Sequence, residues 1–351
     1  MNKEEISGVG VGRRLPASKR RRRKMVRGRV EPVPTTMKAA AIDRFGPPSV
    51  LKLKTVPVPK LGPAEVLIAV HTAGVGSWDA EMRAGWSPDG RRPRFPLVLG
   101  SDGSGTVAAK GPRVRRFKTG ERVYAYAFIN PKGGFYAEYV AIKGDNVAPV
   151  PGLLDLRHAG AIPITGLTAL QGVDDVLHLK KGESVIIHGA SGGVGTLAVQ
   201  FAKLRGARVL ASVSGKDGAA LARRLGADMA VDGRREDVAA AAARFAPKGV
   251  DAVLAFAGGK SLTRCLDALR PGGRLAYPNG VEPVPRKRKG IKILAYNGTA
   301  GVREFERLSR AVVATKLKVP IAAVYPLAEA AKAHQRIAAG HVLGKIVLRI
   351  R

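Results

Sequence analysis

The chain has 351 residues, 60 of them Lys or Arg and 27 Asp or Glu, which gives a formal net charge of +33. A hydrophobic content of 45% excludes a wholly disordered chain, and the length allows two domains of ordinary size. A single cysteine, Cys265, excludes intramolecular disulfides and cysteine-rich zinc sites; no apolar run reaches the ~18–20 residues of a membrane helix, so the expected location is the cytoplasm.

Residues 1–36 carry 11 basic and 3 acidic side chains, centred on Lys19-Arg-Arg-Arg-Arg-Lys24. No apolar stretch follows, which argues against a secretory signal. We read this segment as a disordered, solvated basic tail, through which any contact with nucleic acid would be nonspecific. The other basic clusters are Arg91-Arg-Pro-Arg94, Arg113-Val-Arg-Arg-Phe-Lys118 and Arg286-Lys-Arg-Lys289. They fall in Gly- and Pro-rich stretches with few of the aromatics on which bases stack.

From Met37 to about Val150 the pattern predicts short strands and turns. Val66–His71, Glu121–Tyr126 and Ala137–Ile142 are strands, and Gly-Pro pairs at 46–47, 62–63 and 111–112 mark turns. Near residue 160 the texture changes to alternating strands and helices. Strands are expected at Glu183–His188, Arg208–Val213, Met229–Val231, Val250–Phe256 and Gly273–Tyr277. Helices are expected at Thr196–Leu204, Ala219–Leu225 and Ser261–Leu269. That alternation predicts a parallel sheet in an α/β domain. Two helical stretches, Val302–Thr315 and Leu327–Ala339, and a closing strand Lys345–Ile350 complete the chain.

Gly189-Ala-Ser-Gly-Gly-Val-Gly195 joins a predicted strand to a predicted helix, the context a dinucleotide-binding turn requires. Gly189, Gly192, Gly193 and Gly195 let the backbone approach a pyrophosphate, Val194 belongs to the same turn, and Ser191 adds a hydroxyl. The helix N-terminus attracts the phosphates. An acidic residue that would bind the ribose of NAD is expected at the end of the second strand, yet Val209-Leu-Ala-Ser-Val-Ser-Gly-Lys216 holds none. Ser212, Ser214 and Lys216 suit a 2′-phosphate instead, so the expected cofactor is NADP(H).

These blocks resemble the medium-chain dehydrogenase/reductase superfamily, in its zinc-free quinone oxidoreductase-like branch. The resemblance runs from Met37 to the C-terminus. It includes Gly76-Ser-Trp-Asp79, Pro96-Leu-Val-Leu-Gly-Ser-Asp-Gly103, Gly134-Phe-Tyr-Ala-Glu-Tyr-Val140, Ile164-Thr-Gly-Leu-Thr-Ala169, Leu225-Gly-Ala-Asp228 and Gly340-His-Val-Leu-Gly-Lys-Ile-Val-Leu348. It implies an α/β protein: a GroES-like β-rich catalytic domain at 37–160 and 298–351, and a Rossmann doubly wound parallel-sheet domain at 161–297. The active site would lie between them. By the same match Thr165 and Thr168 would line the cofactor, Phe256, Ala257 and Asn279 would fall on nicotinamide-side loops, and Lys345 would reach the cofactor phosphates. A homodimer is implied through the strand in Lys289–Asn297.

Zinc relatives place a cysteine where this chain has Gly76 and a His-Glu pair where it has Ser101-Asp102. Neither Gly76 nor Ser101 offers zinc a soft ligand, and the six histidines show no ligand spacing, so no metal is expected. Hydride transfer without a Lewis acid suits acceptors that are already electrophilic, quinones or α,β-unsaturated carbonyls. Tyr136, Tyr277 and Ser77 are the candidate proton donors; Trp78 and Trp86 are candidate walls of the acceptor site. Asp79 is expected as a turn or cap residue in a loop. The alternatives are an NADP-dependent reductase or dehydrogenase of another small carbonyl or alcohol and, in a different class, a polyanion-binding protein on the same scaffold.

Overall fold

A computed structural model describes residues 32–87, 90 and 93–351. The basic run at 19–24, the disorder expected for it, and Arg91 and Arg92 lie outside the described residues. In chain order the elements are β1 (Thr36–Ile42), β2 (Lys52–Pro57), β3 (Glu65–Val75), α1 (Ser77–Ala84), β4 (Leu97–Val98), β5 (Asp102–Lys110), β6 (Arg122–Tyr126), β7 (Tyr139–Lys143) and β8 (Val147–Pro149). Then come α2 (Leu156–Ala159), α3 (Pro163–Gln171), β9 (Ser184–His188), α4 (Gly193–Leu204), β10 (Arg208–Val213), α5 (Lys216–Arg224), β11 (Met229–Asp232), α6 (Val238–Phe245), β12 (Val250–Ala255), α7 (Lys260–Asp267), β13 (Leu269–Pro278) and β14 (Lys292–Tyr296). The chain closes with α8 (Val302–Thr315), β15 (Ile321–Pro326), α9 (Ala330–Ala338) and β16 (Lys345–Arg349).

The middle of the chain forms a six-stranded, all-parallel sheet in the order β11-β10-β9-β12-β13-β14. Its central strands are apolar on both faces, as a sheet covered on both sides must be: every residue of β9 is buried. The strand order reverses between β9 and β12, and ligands of open α/β sheets bind at the carboxyl ends around such a point. The Gly-rich turn leaves β9 there, and Phe256 leaves β12 beside it.

The two ends of the chain build the β-rich half. A seven-stranded sheet runs β15-β16-β3-β5-β6-β8, with β7 also on β3, and β2-β1-β4 form a small antiparallel sheet. β16, from the C-terminus, pairs antiparallel with β3, Leu348 opposite Ala73, so the last strand closes the sheet begun near the N-terminus. Helix α3 is buried along its whole length, and its Gly166 lets Leu308 of α8 approach to where a Cβ would meet it at 2.9 Å. Phe305 of α8 packs edge-on against Tyr124 of β6, centroids 5.0 Å apart. Those residues share one apolar core with Leu197 and Phe201 of α4, so packing ties the two halves together under the cleft.

Among the described residues no helix is long and apolar enough to cross a membrane. The helix α1 replaces the loop expected around Asp79. Gly76 is its N-cap, and the Asp79 carboxylate accepts the Gly76 N–H at 2.8 Å, so the capping role holds within a helix.

Candidate active site

Adjoining cavities follow the carboxyl ends of β9 and β12. One is lined by Ser77, Trp78, Thr165, Gly189, Gly192 to Gly195, Phe256 and Lys345. Its neighbour, of about 490 Å³, is lined by Ser77, Trp78, Trp86, Thr168, Val194, Phe256 and Asn279, together with Glu81, Tyr126 and Phe128. On the other side of the turn a cavity of about 400 Å³ is lined by Gly189, Ser191, Ser212, Ser214, Phe256 and Ala257, with Arg234 and His341. Gly189, Gly192 and Phe256 are shared between the first and the third, and Ser77, Trp78, Val194 and Phe256 between the first and the second. Together they form an extended cleft with the glycine turn at its middle, a shape that matches a molecule with a phosphate centre and a ring at each end.

The turn's chemistry follows from its geometry. Gly189 has φ +78°, which side chains resist. A Cβ on Gly195 would stand 2.2 Å from the Gly189 carbonyl oxygen, so no other residue fits there without moving backbone. In the first turn of α4, Gly193, Val194 and Gly195 carry N–H groups with no intrahelical acceptor, and all three line the central cavity. From the other half of the molecule the Gly344 N–H donates to the Ser191 carbonyl at 2.8 Å, which holds the turn against β16. These residues fit a nicotinamide dinucleotide.

Several expected site residues stand elsewhere. Tyr136 is fully buried in the core of the β-rich half, its hydroxyl 3.1 Å from Nε2 of His334, and burial drives its pKa well above the phenol range. It cannot reach an acceptor. Tyr277 points into the core on the far side of the parallel sheet, with Val253 and Leu275, and does not line the cleft. Of the three candidate donors, only Ser77 lies on the cleft. Lys216 is exposed at the start of α5 and lines none of these cavities. Ala257 lies by the Ser214 end and not beside the acceptor cavity. The Ser212 hydroxyl is buried and engaged with Nδ1 of His188 at 3.0 Å. The side chain of Lys345 lines the central cavity, but its Nζ is sealed from solvent and has no hydrogen-bond partner. It rests 4.6 Å over the Trp78 ring; burial raises the pKa of both Asp79 and Asp102, and the nearby Lys345 charge offsets part of that rise. In this arrangement the ammonium therefore faces the Trp78 ring.

Sequence reasoning missed Glu81, Tyr126 and Phe128 at the acceptor end and Arg234 and His341 at the other. Glu81 was visible in principle as the residue four after Ser77 on one helical face, once α1 is recognised. His341 carried no local signal: it crosses 124 residues of sequence to place Nε2 2.9 Å from an Asp217 oxygen, and its Nδ1 lies 3.2 Å from the Ser214 hydroxyl.

At the position of the metal in zinc relatives the donor set does not suit zinc. A Cβ on Gly76 would overlap the Trp78 ring at 2.2 Å, Ser101 Oγ is 3.4 Å from Asp79, and Asp102 Oδ2 accepts the Ile164 N–H at 3.1 Å. No three His, Cys, Asp or Glu side chains converge on a common point among the described residues.

Two family models match the chain: "Alcohol dehydrogenase GroES-like domain" over residues 62–152 and "Zinc-binding dehydrogenase" over residues 225–348. The quinone oxidoreductase of Mus musculus is 31% identical over 329 residues, covering 89% of this chain and 97% of that protein. The chain belongs to the medium-chain dehydrogenase/reductase superfamily, in its quinone oxidoreductase-like branch. A solved quinone oxidoreductase from Coxiella burnetii superposes with a TM-score of 0.81 at 32% identity, over 90% of this chain and all of that one. A mycobacterial structure solved in complex with NADPH superposes with a TM-score of 0.79 at 29% identity, over 90% of this chain and 100% of its own. The β-rich half is thus the GroES-like domain and the parallel sheet the Rossmann-like one, and the protein is an oxidoreductase of this superfamily.

Proposed function

We propose that the protein is an NADPH-dependent reductase of quinones or α,β-unsaturated carbonyls that works without zinc. The observation that carries the cofactor choice is the cavity beyond the glycine turn. Its wall at the end of β10 holds Ser214 where an NAD enzyme holds a carboxylate, and Arg234 faces the same space. Asp217, the nearest acid in sequence, is engaged by His341.

The bound cofactor supplies a hydride, and the chain's own residues do the rest. The α4 N-terminus and the turn hold the phosphates; Thr165, Val194 and Phe256 wall the cleft between turn and acceptor cavity. Trp78, Trp86 and Phe128 give the acceptor cavity the flat apolar walls that suit a quinone ring, with Trp86 and Phe128 edge to face at 5.9 Å. Such an acceptor needs hydrogen-bond donors and a proton rather than a Lewis acid.

The test is a titration with NADPH and NADH by nicotinamide fluorescence, followed by loss of nicotinamide absorbance with menadione, an enone and an alcohol. Binding of NADPH in preference to NADH, and turnover with menadione or the enone, are expected. Absence of NADPH binding, or turnover with the alcohol alone, refutes the proposal. Activity is expected to survive prolonged dialysis against a chelator, with less than stoichiometric zinc by elemental analysis. A chelator-sensitive enzyme refutes the zinc-free part.

The assembly we propose is a homodimer. β14 is an edge strand of the parallel sheet, and its Ile293 and Leu294 are half-buried. Sedimentation at twice the 37.0 kDa chain mass is expected; a monomer at micromolar concentration contradicts it.

A further inference from the structure

With Tyr136 and Tyr277 in the cores, the acceptor cavity needs another source of protons. We infer that Glu81 is the catalytic proton donor to the reduced acceptor, an inference that rests on the quinone or enone reading above. Four groups on that cavity wall carry a hydroxyl or carboxyl proton: Ser77, Thr168, Tyr126 and Glu81.

Chemistry separates them. The Ser77 and Thr168 hydroxyls are alcohols, too weak as acids to give up a proton to a phenolate or enolate. Tyr126 already directs its hydroxyl to the Gly298 carbonyl at 3.3 Å, and burial, helped by Asp102, pushes its pKa up, so a phenolate left there is costly. Glu81 is the one carboxyl group on a wall of mostly apolar and aromatic side chains, with Ser77, Thr168, Asn279 and Asn297 as its neutral polar members. Partial burial and then repulsion from Glu282 raise its pKa above the ordinary value, toward the working range of a general acid. An acceptor filling the cavity removes further water from the carboxyl and pushes in the same direction.

Among the described residues, the surroundings leave Glu81 free for this task. The charged groups on the other face of α1 are occupied: Asp79 caps Gly76, and Arg83 lies 3.2 Å from Nδ1 of His334 on α9. Among the described residues the remaining charged neighbour is Glu282, between β13 and β14, and it is a like charge. Glu81 is also exposed to solvent, which gives it a route to recover a proton after each turnover.

The step balances simply. The acceptor gains two electrons and one hydrogen as the hydride the cofactor supplies, and becomes an oxyanion. The O–H bond of Glu81 breaks, its proton joins that oxygen, and the carboxylate left behind takes a proton from water.

The experiment compares the full-length wild type with Glu81→Gln and Glu81→Ala, using NADPH and menadione. E81Q is expected to lower kcat about 100-fold and to leave the NADPH dissociation constant within about 2-fold. The wild-type rate is expected to fall as pH rises through the Glu81 pKa, and the E81Q profile to be flat over that range. In a single turnover followed with a pH indicator, proton uptake from solvent lags nicotinamide oxidation in the wild type and coincides with it in E81Q. Acetate is expected to restore part of the E81A rate. An E81Q enzyme with kcat within 3-fold of wild type and the same pH profile overturns the inference alone. A wild type that oxidises NADPH with neither menadione nor an enone overturns the functional reading and this inference together.

Discussion

Replacing Arg234 by alanine is expected to weaken NADPH binding 10- to 100-fold and to leave NADH binding within about 2-fold. The two cofactors differ by one phosphate on the adenosine ribose, so a residue that acts on one and spares the other must stand at that phosphate. Arg234 follows β11 and lines the cavity beyond the turn with Ser214. A guanidinium pairs with a phosphate dianion through two parallel N–H donors, and a charge-assisted contact of that kind contributes roughly 1.5–3 kcal/mol, which is the stated range of affinity. Lys216, the cation nearest in sequence to Ser214, lines none of that wall, so Lys216→Ala is expected to change NADPH affinity less than 3-fold. Titration of both variants with both cofactors decides the assignment. A K216A loss larger than the R234A loss, or an R234A loss equal for NADPH and NADH, would remove Arg234 from the phosphate site.

That contrast also shows what could be read from the sequence. The glycine turn was legible because its requirements are local: a positive φ at Gly189, no room for a Cβ at Gly195, a strand before and a helix after. The α/β alternation was legible for the same reason, and Arg208–Val213 and Val302–Thr315 have the predicted limits. Tyr136 is carried into the core by a loop before β7 that bonds to Leu99 and Ala40, and the facing of Tyr277 depends on pairing with distant strands; neither is a local property. Tyr277 lies opposite Ala295 in the sheet, and the pleat turns it away from the cleft. Helix α1 reads as a loop in sequence because Gly76, Ser77 and Asp79 are turn formers. Here they form the cap and first turn of a helix whose lower face carries Glu81. Arg234 was passed over because the second-strand rule directs attention to the end of β10, and the wall is completed by the neighbouring strand's loop, which only the sheet order brings alongside.

Replacing Lys345 by methionine is expected to cost the fold roughly 3–5 kcal/mol, and adding Asp79→Asn is expected to recover a large part of that loss. Lys345, Asp79 and Asp102 are all buried, and Asp102 Oδ1 and Lys345 Nζ have no hydrogen-bond partner. Their charges are therefore balanced across space more than through direct bonds, and the Trp78 ring, 4.6 Å from the ammonium, adds a contact of favourable electrostatic sign. Removing the cation leaves two carboxyls in a dry site, each of which must then be ionised at high cost or take up a proton. Asp79 shows how near that limit the site already stands. Burial raises its pKa from 3.8 to about 7, even though the Gly76 N–H and Lys345 both pull it down. A carboxyl whose folded pKa lies above its unfolded one binds its proton more tightly in the folded state. Its contribution to stability is complete below about pH 4 and is lost as pH rises through about 7. Wild-type stability is thus expected to decline by on the order of 4 kcal/mol from below pH 4 to above pH 7 if the three-unit shift acts alone, of which roughly 2.5 kcal/mol falls between pH 5 and pH 8. Asp79→Asn keeps an oxygen for the Gly76 N–H and offers its amide to Ser101, and it removes the titration, so its stability should be flatter with pH and greater than wild type at pH 8. Urea unfolding of the wild type, D79N, K345M and the double variant at pH 5, 6.5 and 8 measures each of these terms. A K345M protein as stable as wild type at pH 8, or a D79N protein with a steeper pH dependence, would mean that the buried charges are compensated by groups other than one another.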